Sequence, residues 1–178
     1  MIIIKSDSDL RRMRRAGEIT GMTLKAAGSA IKPGMSTKEL DGIIEDFIRS
    51  HGAVPSFKGY GGFPGSACIS INNVVIHGIP SKKIIIKDGD IVSIDVGAYI
   101  DGFHGDSAAT FGVGNVPDNA KKLMEVTKTS LEHAAKIMRA GVRLGDIGNA
   151  VQSYCESFGY GVVRDFVGHG VGRDLHED

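Results

Sequence analysis

The chain has 178 residues, 42% hydrophobic and 24% charged, enough for one domain with a real core and ordinary for a globular protein in water. Lysine plus arginine balances aspartate plus glutamate at 21 each, so nothing overall advertises nucleic acid or an anionic membrane as a partner. No apolar run approaches the roughly 20 residues that a bilayer span needs, and the short apolar stretch at Ile2–Ile4 reads as neither signal peptide nor anchor. A cytoplasmic location is expected, with Cys68 and Cys155 as free thiols lacking metal-type spacing.

In chain order, residues 8–31 place Leu10, Met13, Gly17, Thr20, Leu24, Ala27 and Ile31 at helical steps. Arg11, Arg12, Arg14 and Arg15 at its start read as a solvated helix face. Ser36 with Glu39 reads as a capping box opening a second helix, with Leu40, Ile43, Ile44, Phe47 and Ile48 on one stripe and Gly52 as its stop. His51 closes that helix in a favourable place for a cation. From residue 66 the texture turns to strands: Ser66–Ile71, Val74–Ile76, Ile91–Val96 and Ser107–Gly112, with Asp101-Gly102 as a hairpin turn. Lys82, Lys83 and Lys87 beside isoleucines suggest a charged strand edge. Helical spacing returns at Leu123, Thr127, Leu131, Ala134 and Met138, then at Leu144, Ile147, Val151, Tyr154 and Phe158.

The helical pair repeats. Gly34 and Gly52 recur as Gly141 and Gly159, and Leu40, Ile44 and Phe47 match Ile147, Val151 and Tyr154, all displaced by 107 residues. The chain therefore reads as helix–helix–sheet twice over, an α/β arrangement built by internal duplication. By that register Asp178 matches Ile71 of the first copy, so a second sheet is expected to lie beyond residue 178.

Candidate chemistry falls in three segments. His77 ends an apolar run between turn formers, in Ile76-His77-Gly78-Ile79-Pro80. Asp95 interrupts the apolar strand Ile91–Val96, and Asp106 follows across the expected hairpin. His169 and His176 lie in Gly168-His169-Gly170-Val171-Gly172-Arg173-Asp174-Leu175-His176. A carboxylate in a buried strand needs a cation, a hydrogen-bond network or a proton. Pairing with Lys or Arg, or with backbone N–H groups, would satisfy one such aspartate. Two side by side repel unless one is protonated or a metal sits between them. A hard or borderline divalent ion accepts carboxylate and imidazole ligands, from candidates His77, His104, His169 and His176. The glycines around His169 allow a close backbone approach to a bound group. His104 reads as a loop residue without a partner; His51 and His133 read as structural. The glycine-rich segment lacks the spacing of a dinucleotide fingerprint.

Taken together these segments, with Leu10–Gly17, Lys32–Thr37, Cys68–Asn72 and Asp88-Gly89-Asp90, resemble the type I methionine aminopeptidases over the whole length. The resemblance implies the pita-bread fold with its pseudo-twofold duplication, here as a single catalytic domain with a first half of about 1–112 and an incomplete second half of about 113–178. It implies two divalent ions (Co, Mn, Fe or Zn) held by Asp95, Asp106 as the bridging ligand, His169 and two glutamates, the glutamates falling beyond residue 178. A metal-bridging water would attack the carbonyl after the first residue, with the free α-amine on a metal. His77 and His176 would bind substrate and stabilise the developing oxyanion. Phe57, Tyr60, Phe63, Cys68 and Leu175 would line the methionine pocket. A monovalent cation near Asn72 and Val74, nascent-chain N-termini met at the ribosome as substrate, and a monomeric state complete the implied picture. The chain as given is expected to hold metal incompletely and to have little or no peptidase activity. Two other readings stay open: a proline-specific aminopeptidase of the same fold, and a non-catalytic pita-bread binding protein.

Overall fold

The computed structural model describes residues 2–178. They group into two compact units, one comprising residues up to Val116 together with His169–Asp178, the other Pro117–Gly168.

In the first unit, helix α1 spans Asp7–Ala30 and helix α2 Thr37–Ser50. Each opens on a capping box. Ser36 Oγ accepts from Glu39 N at 3.2 Å while the Glu39 carboxylate accepts from Ser36 N at 2.8 Å. Ser6 and Asp9 repeat that exchange at the start of α1. His51 caps α2, its ring nitrogen 2.8 Å from the Phe47 carbonyl. The sheet comprises β1 (Val54–Pro55), β2 (Ala67–Ile71), β3 (Ile91–Ile100) and β4 (Phe103–Gly112), all antiparallel. β3 is central: β1 and β2 pair along one side of it and β4 along the other. Asp101 and Gly102 both have positive φ, 53° and 85°, as a two-residue hairpin turn twisted with its strands requires.

Alternation along β3 decides where the core and the site lie. Val92, Ile94, Val96 and Ala98 are fully buried, and they pack with Ala16, Ile19, Ala27, Leu40, Ile44 and Ile48 of the two helices. Ser93, Asp95, Gly97 and Tyr99 alternate with them and, by the period of two, face the other side of the sheet. Gly105 lets the backbone of α1 lie close against β4: a Cβ there would stand 2.5 Å from the Ala16 carbonyl carbon.

Several expectations are corrected. Val74–Ile76 is not a strand. Asn72 turns with φ 52°, and the segment after it meets β2 without forming a ladder, Ile69 N bonding the Gly78 oxygen at 2.9 Å, while Val74 and Val75 are exposed. The lysines 82, 83 and 87 do not edge a strand; their segment is irregular, joined to the rest by the isolated Ser36–Ile85 bridge. Helix α1 buries Ala16, Ile19, Thr20, Thr23, Leu24 and Ala27, a stripe rotated from the one predicted, so Leu10 and Gly17 are exposed. His104 lies on β4, not in a loop, and its ring bonds Ser56 Oγ at 2.8 Å.

The second unit holds helices α3 (Asp118–Ile137) and α4 (Leu144–Ser157). Helix α4 repeats α2 with both ends displaced by 107 residues, and α3 ends 107 residues after α1. Gly34 and Gly141, at φ 87° and 91°, and Gly52 and Gly159, at 75° and 79°, match in conformation as well as position. The buried residues of α3 are Val126, Ser130 and Ala134, whereas the predicted Leu123, Thr127, Leu131 and Met138 are exposed. His133 packs edge-on against Tyr154 at 4.5 Å, a structural role as expected.

Candidate metal and substrate site

Strand register assembles the site. Cys68 of β2, Asp95 of β3 and Ala108 of β4 form one cross-strand row, and Gly97 opposite Asp106 forms the next. Directly paired residues share a face, so Cys68, Asp95 and Asp106 stand together on the side away from the helices. Gly97 is required there: a Cβ would lie 2.6 Å from Ser56 Cβ and 2.7 Å from the Phe57 ring. Loop residues complete the enclosure. A cavity of about 360 Å³ is lined by Phe57, Tyr60, Phe63, Cys68, His77, Ile79, Asp95, Asp106, His169, Leu175 and His176. All ten site residues expected from the sequence share this one cavity, and Ile79 joins them; its place directly after His77-Gly78 was the signal that could have found it.

The electrostatics are those of crowded carboxylates. Burial, followed by the charge of Asp106 and a hydrogen bond between the two side chains, pushes the Asp95 carboxyl up to about 7. His169 Nε2 stands 3.6 Å from Asp106 Oδ2, and its Nδ1 is 2.9 Å from the Gly170 carbonyl. The His169 and His176 rings lie 4.2 Å apart, and His176 Nδ1 is 2.9 Å from the Tyr60 hydroxyl. Burial, then Asp95, Asp106 and Asp41, raise the Cys68 thiol to about 12, so it stays protonated and behaves as a small apolar wall beside Phe57 and Leu175. His77 has φ 58°, a conformation uncommon for a side chain of its size, and Gly78 behind it lies against the Ile69 and Ser70 backbone.

Among the described residues no group of three or more His, Cys, Asp or Glu side chains closes on a common point at ion-binding distance. The donor chemistry nevertheless fits a divalent cation. Two carboxylates forced together, one of them driven to hold a proton, are what an ion between them would relieve, and an imidazole stands at their edge.

Residues that the sequence reading passed over hold the cavity wall. Asp41, fully buried on α2, accepts from Ser66 N at 2.7 Å and Ala67 N at 3.1 Å. Glu45, a turn later, binds Lys58 at 2.6 Å and Ser66 Oγ at 3.0 Å. Together they clamp both ends of the loop bearing Phe57, Tyr60 and Phe63. The available signal was spacing: Thr37, Asp41, Ile44 and Ile48 put an aspartate on the stripe that α2 buries.

Paired strand carboxylates, flanking histidines and an adjoining apolar wall are the apparatus of a metal-dependent hydrolase with a small apolar specificity site. Residues 11–178 match the metallopeptidase family M24. The methionine aminopeptidase of Clostridium acetobutylicum is 53% identical over all 178 residues, which span 71% of that protein. The crystal structure of the Rickettsia prowazekii methionine aminopeptidase superposes with a TM-score of 0.97 at 44% identity, covering 100% of this chain and 71% of that one. An Xaa-Pro dipeptidase from Bacillus anthracis is more distant, at 28% identity and a TM-score of 0.87, covering 98% of this chain and 48% of its own. The chain belongs to the methionine aminopeptidases of metallopeptidase family M24 and has their pita-bread fold. Its activity is the metal-dependent hydrolytic removal of N-terminal methionine from polypeptides.

Proposed function

We propose that Asp95, Asp106 and His169 would contribute ligands to divalent ions, and that His77 and His176 act on the substrate. The observation that carries this reading is the Asp95–Asp106 pair, on one sheet face beside the cavity and close enough that Asp95 keeps its proton up to about pH 7 when no cation is bound. Divalent ions held there would lower the pKa of the attacking water and neutralise charge on the carbonyl oxygen. The chain's own residues do the rest. Phe57, Phe63, Cys68 and Leu175 receive the thioether side chain, and Tyr60 closes on them through its bond to His176. With Nδ1 accepting from the Tyr60 hydroxyl, His176 presents Nε2–H as a donor to the carbonyl oxygen as it becomes negative, and His77 supplies a second donor from the opposite loop.

Carboxylate and imidazole donors suit Co, Mn, Fe or Zn. A monovalent cation near Asn72 and Val74 would use main-chain carbonyls, because the Asn72 side chain is already bonded to Asp90 and Ile91 N. The substrate N-terminus is met as it leaves the ribosome, in the cytoplasm, by a monomeric enzyme, and residues 1–178 belong to one catalytic domain, a first half of about 1–112 and part of a second half, about 113–178.

Hydrolysis of Met-Ala-Ser and of an Ala-Pro peptide by the metal-loaded full-length protein tests the assignment, and residues 1–178 by themselves should show little or no turnover. Asp95→Asn and Asp106→Asn should each cost at least ~100-fold in kcat, His77→Ala and His176→Ala about 10- to 1000-fold, and Ala-Pro should not be cleaved. Full turnover by either aspartate variant, or preference for Ala-Pro, would overturn it.

A further inference from the structure

His169, Leu175 and His176 reach the cavity from a segment with no helix or strand of its own. Its internal order comes from Glu177. Gly170 and Glu177 exchange two main-chain bonds of 2.8 Å, Gly172 N bonds the Asp174 oxygen at 3.0 Å, and the Glu177 carboxylate accepts from Arg173 N at 2.8 Å. A side chain at position 172 would run into that carboxylate, and one at 170 would meet the Asp178 carbonyl oxygen at 2.9 Å. The glycines therefore serve the closed turn, with Gly168 standing in open space.

Apart from the contacts of its two histidines with Tyr60 and Asp106, this turn is fastened to the body of its unit at three points. His104 N bonds the Gly172 oxygen at 2.7 Å, and Lys5 pairs with Glu177. The third point is Arg173. Its guanidinium lies 4.7 Å from the centre of the Phe103 ring and bonds Asp9 Oδ1 at 3.2 Å. Arg12 lies over the same ring at 4.9 Å and bonds the same oxygen at 2.8 Å. Two cations on one ring would repel, and Asp9 is the anion that holds both. Asp9 is itself fixed by Ser6 N at 3.0 Å and Ser6 Oγ at 2.6 Å, while Phe103 is fully buried. An exposed Arg–Asp pair contributes little stability. A planar guanidinium stacked on an immobile ring and bonded in one direction supplies orientation instead.

We propose that Arg173 is a positioning residue: seated on Phe103, Asp9 and Arg12, it sets the turn that carries His169 and His176 into the cavity. The inference rests on the reading that those histidines serve metal and substrate. Arg173 stands four residues after one and three before the other, so a shift of the seat moves both.

The test uses Arg173→Ala, Arg173→Lys, Asp9→Asn and the Asp9→Asn/Arg173→Ala pair in the metal-loaded full-length enzyme with Met-Ala-Ser. Imidazole NMR signals of the metal-free protein provide a second readout. Arg173→Ala should lower kcat about 10- to 100-fold with KM changed less than about threefold, because misplacement by an ångström costs turnover before binding. Arg173→Lys should not restore the rate, and the double variant should be no slower than Arg173→Ala, since both changes empty one seat. The His169 and His176 signals should move while those of His51 and His133 stay. Unchanged kcat with unmoved His169 and His176 signals would overturn the proposal. So would additive losses, or equal movement of all four signals with a falling Tm. Asp9→Asn keeps the shape of the side chain and an oxygen for Ser6, and keeps the test open should Arg173→Ala fold poorly. If His169→Ala retained full turnover, the reading of the site would fall, and the ring signals alone would still decide the seat.

Discussion

Replacing Asp41 by alanine removes the acceptor shared by two buried backbone donors. Ser66 and Ala67 are fully buried, so no water replaces the lost oxygen. Each orphaned N–H costs about 1–3 kcal/mol, giving about 2–6 kcal/mol for the pair. Lys38, 41% exposed, adds at most about 1 kcal/mol through its 2.8 Å contact with Asp41. Asp41→Asn keeps an oxygen for the same two donors and forfeits only the charge, for about 1–2 kcal/mol. Because Ser66 and Ala67 anchor the loop carrying Phe57, Tyr60 and Phe63, alanine should also raise KM for a methionyl peptide more than it lowers kcat. Urea unfolding of the two variants reads the first effect and steady-state kinetics the second. An alanine variant within about 0.5 kcal/mol of the parent would refute the reasoning. Equal losses for asparagine and alanine would show that the charge matters and the acceptor does not.

Glu45 is held down to about 2, chiefly by Lys58 with help from Arg49 and Ser66 against its partial burial. A carboxylate lowered on folding contributes stability that is complete above its ordinary value near 4.5 and lost as pH falls from there towards 2. Glu45→Gln should therefore flatten the acid limb of a pH-dependent urea series by about 1–3 kcal/mol, below the full linkage because Lys58 and Arg49 are 42% and 49% exposed; an unchanged slope would contradict the clamp. Gly78→Ala would drive a Cβ to 2.6 Å from the Ile69 carbonyl carbon, backbone that cannot yield. It should lower stability by about 1–3 kcal/mol and reduce kcat by displacing His77. Gly17→Ala, in open space on α1, should stabilise by up to about 1 kcal/mol in the same melts.

Local rules carried much of this fold into the sequence. Ser36 with Glu39 marked the start of α2, Asp101-Gly102 marked the hairpin, and the 107-residue displacement marked the repeated helices, because each depends on near neighbours or on the chain matching itself. The apolar run at Val74–Ile76 misled because strand propensity says nothing about whether an edge is free to pair. The stripe of α3 was misplaced for a related reason: Leu123 and Leu131 keep helical spacing, but packing selected the face of Val126 and Ala134. In the site, aspartates interrupting apolar strands were conspicuous. Asp41, Glu45 and Arg173 were not, because their meaning arises only when residues distant in sequence, such as Asp41 and Ser66 or Arg173 and Asp9, are brought together.

The central claim is that divalent cations relieve the Asp95–Asp106 pair, and calorimetric titration of metal-free protein with Mn²⁺ at pH 6 and pH 9 tests it most directly. With Asp95 raised to about 7 in the metal-free state, the entering ion must displace a proton at pH 6 and has none to displace from that group at pH 9. The account predicts release of close to one proton from Asp95 at pH 6 and none at pH 9, read from the dependence of the heat on buffer ionisation. Asp106→Asn should weaken binding at least ~100-fold. Binding without proton release at pH 6, or equal affinity in Asp106→Asn, would contradict it.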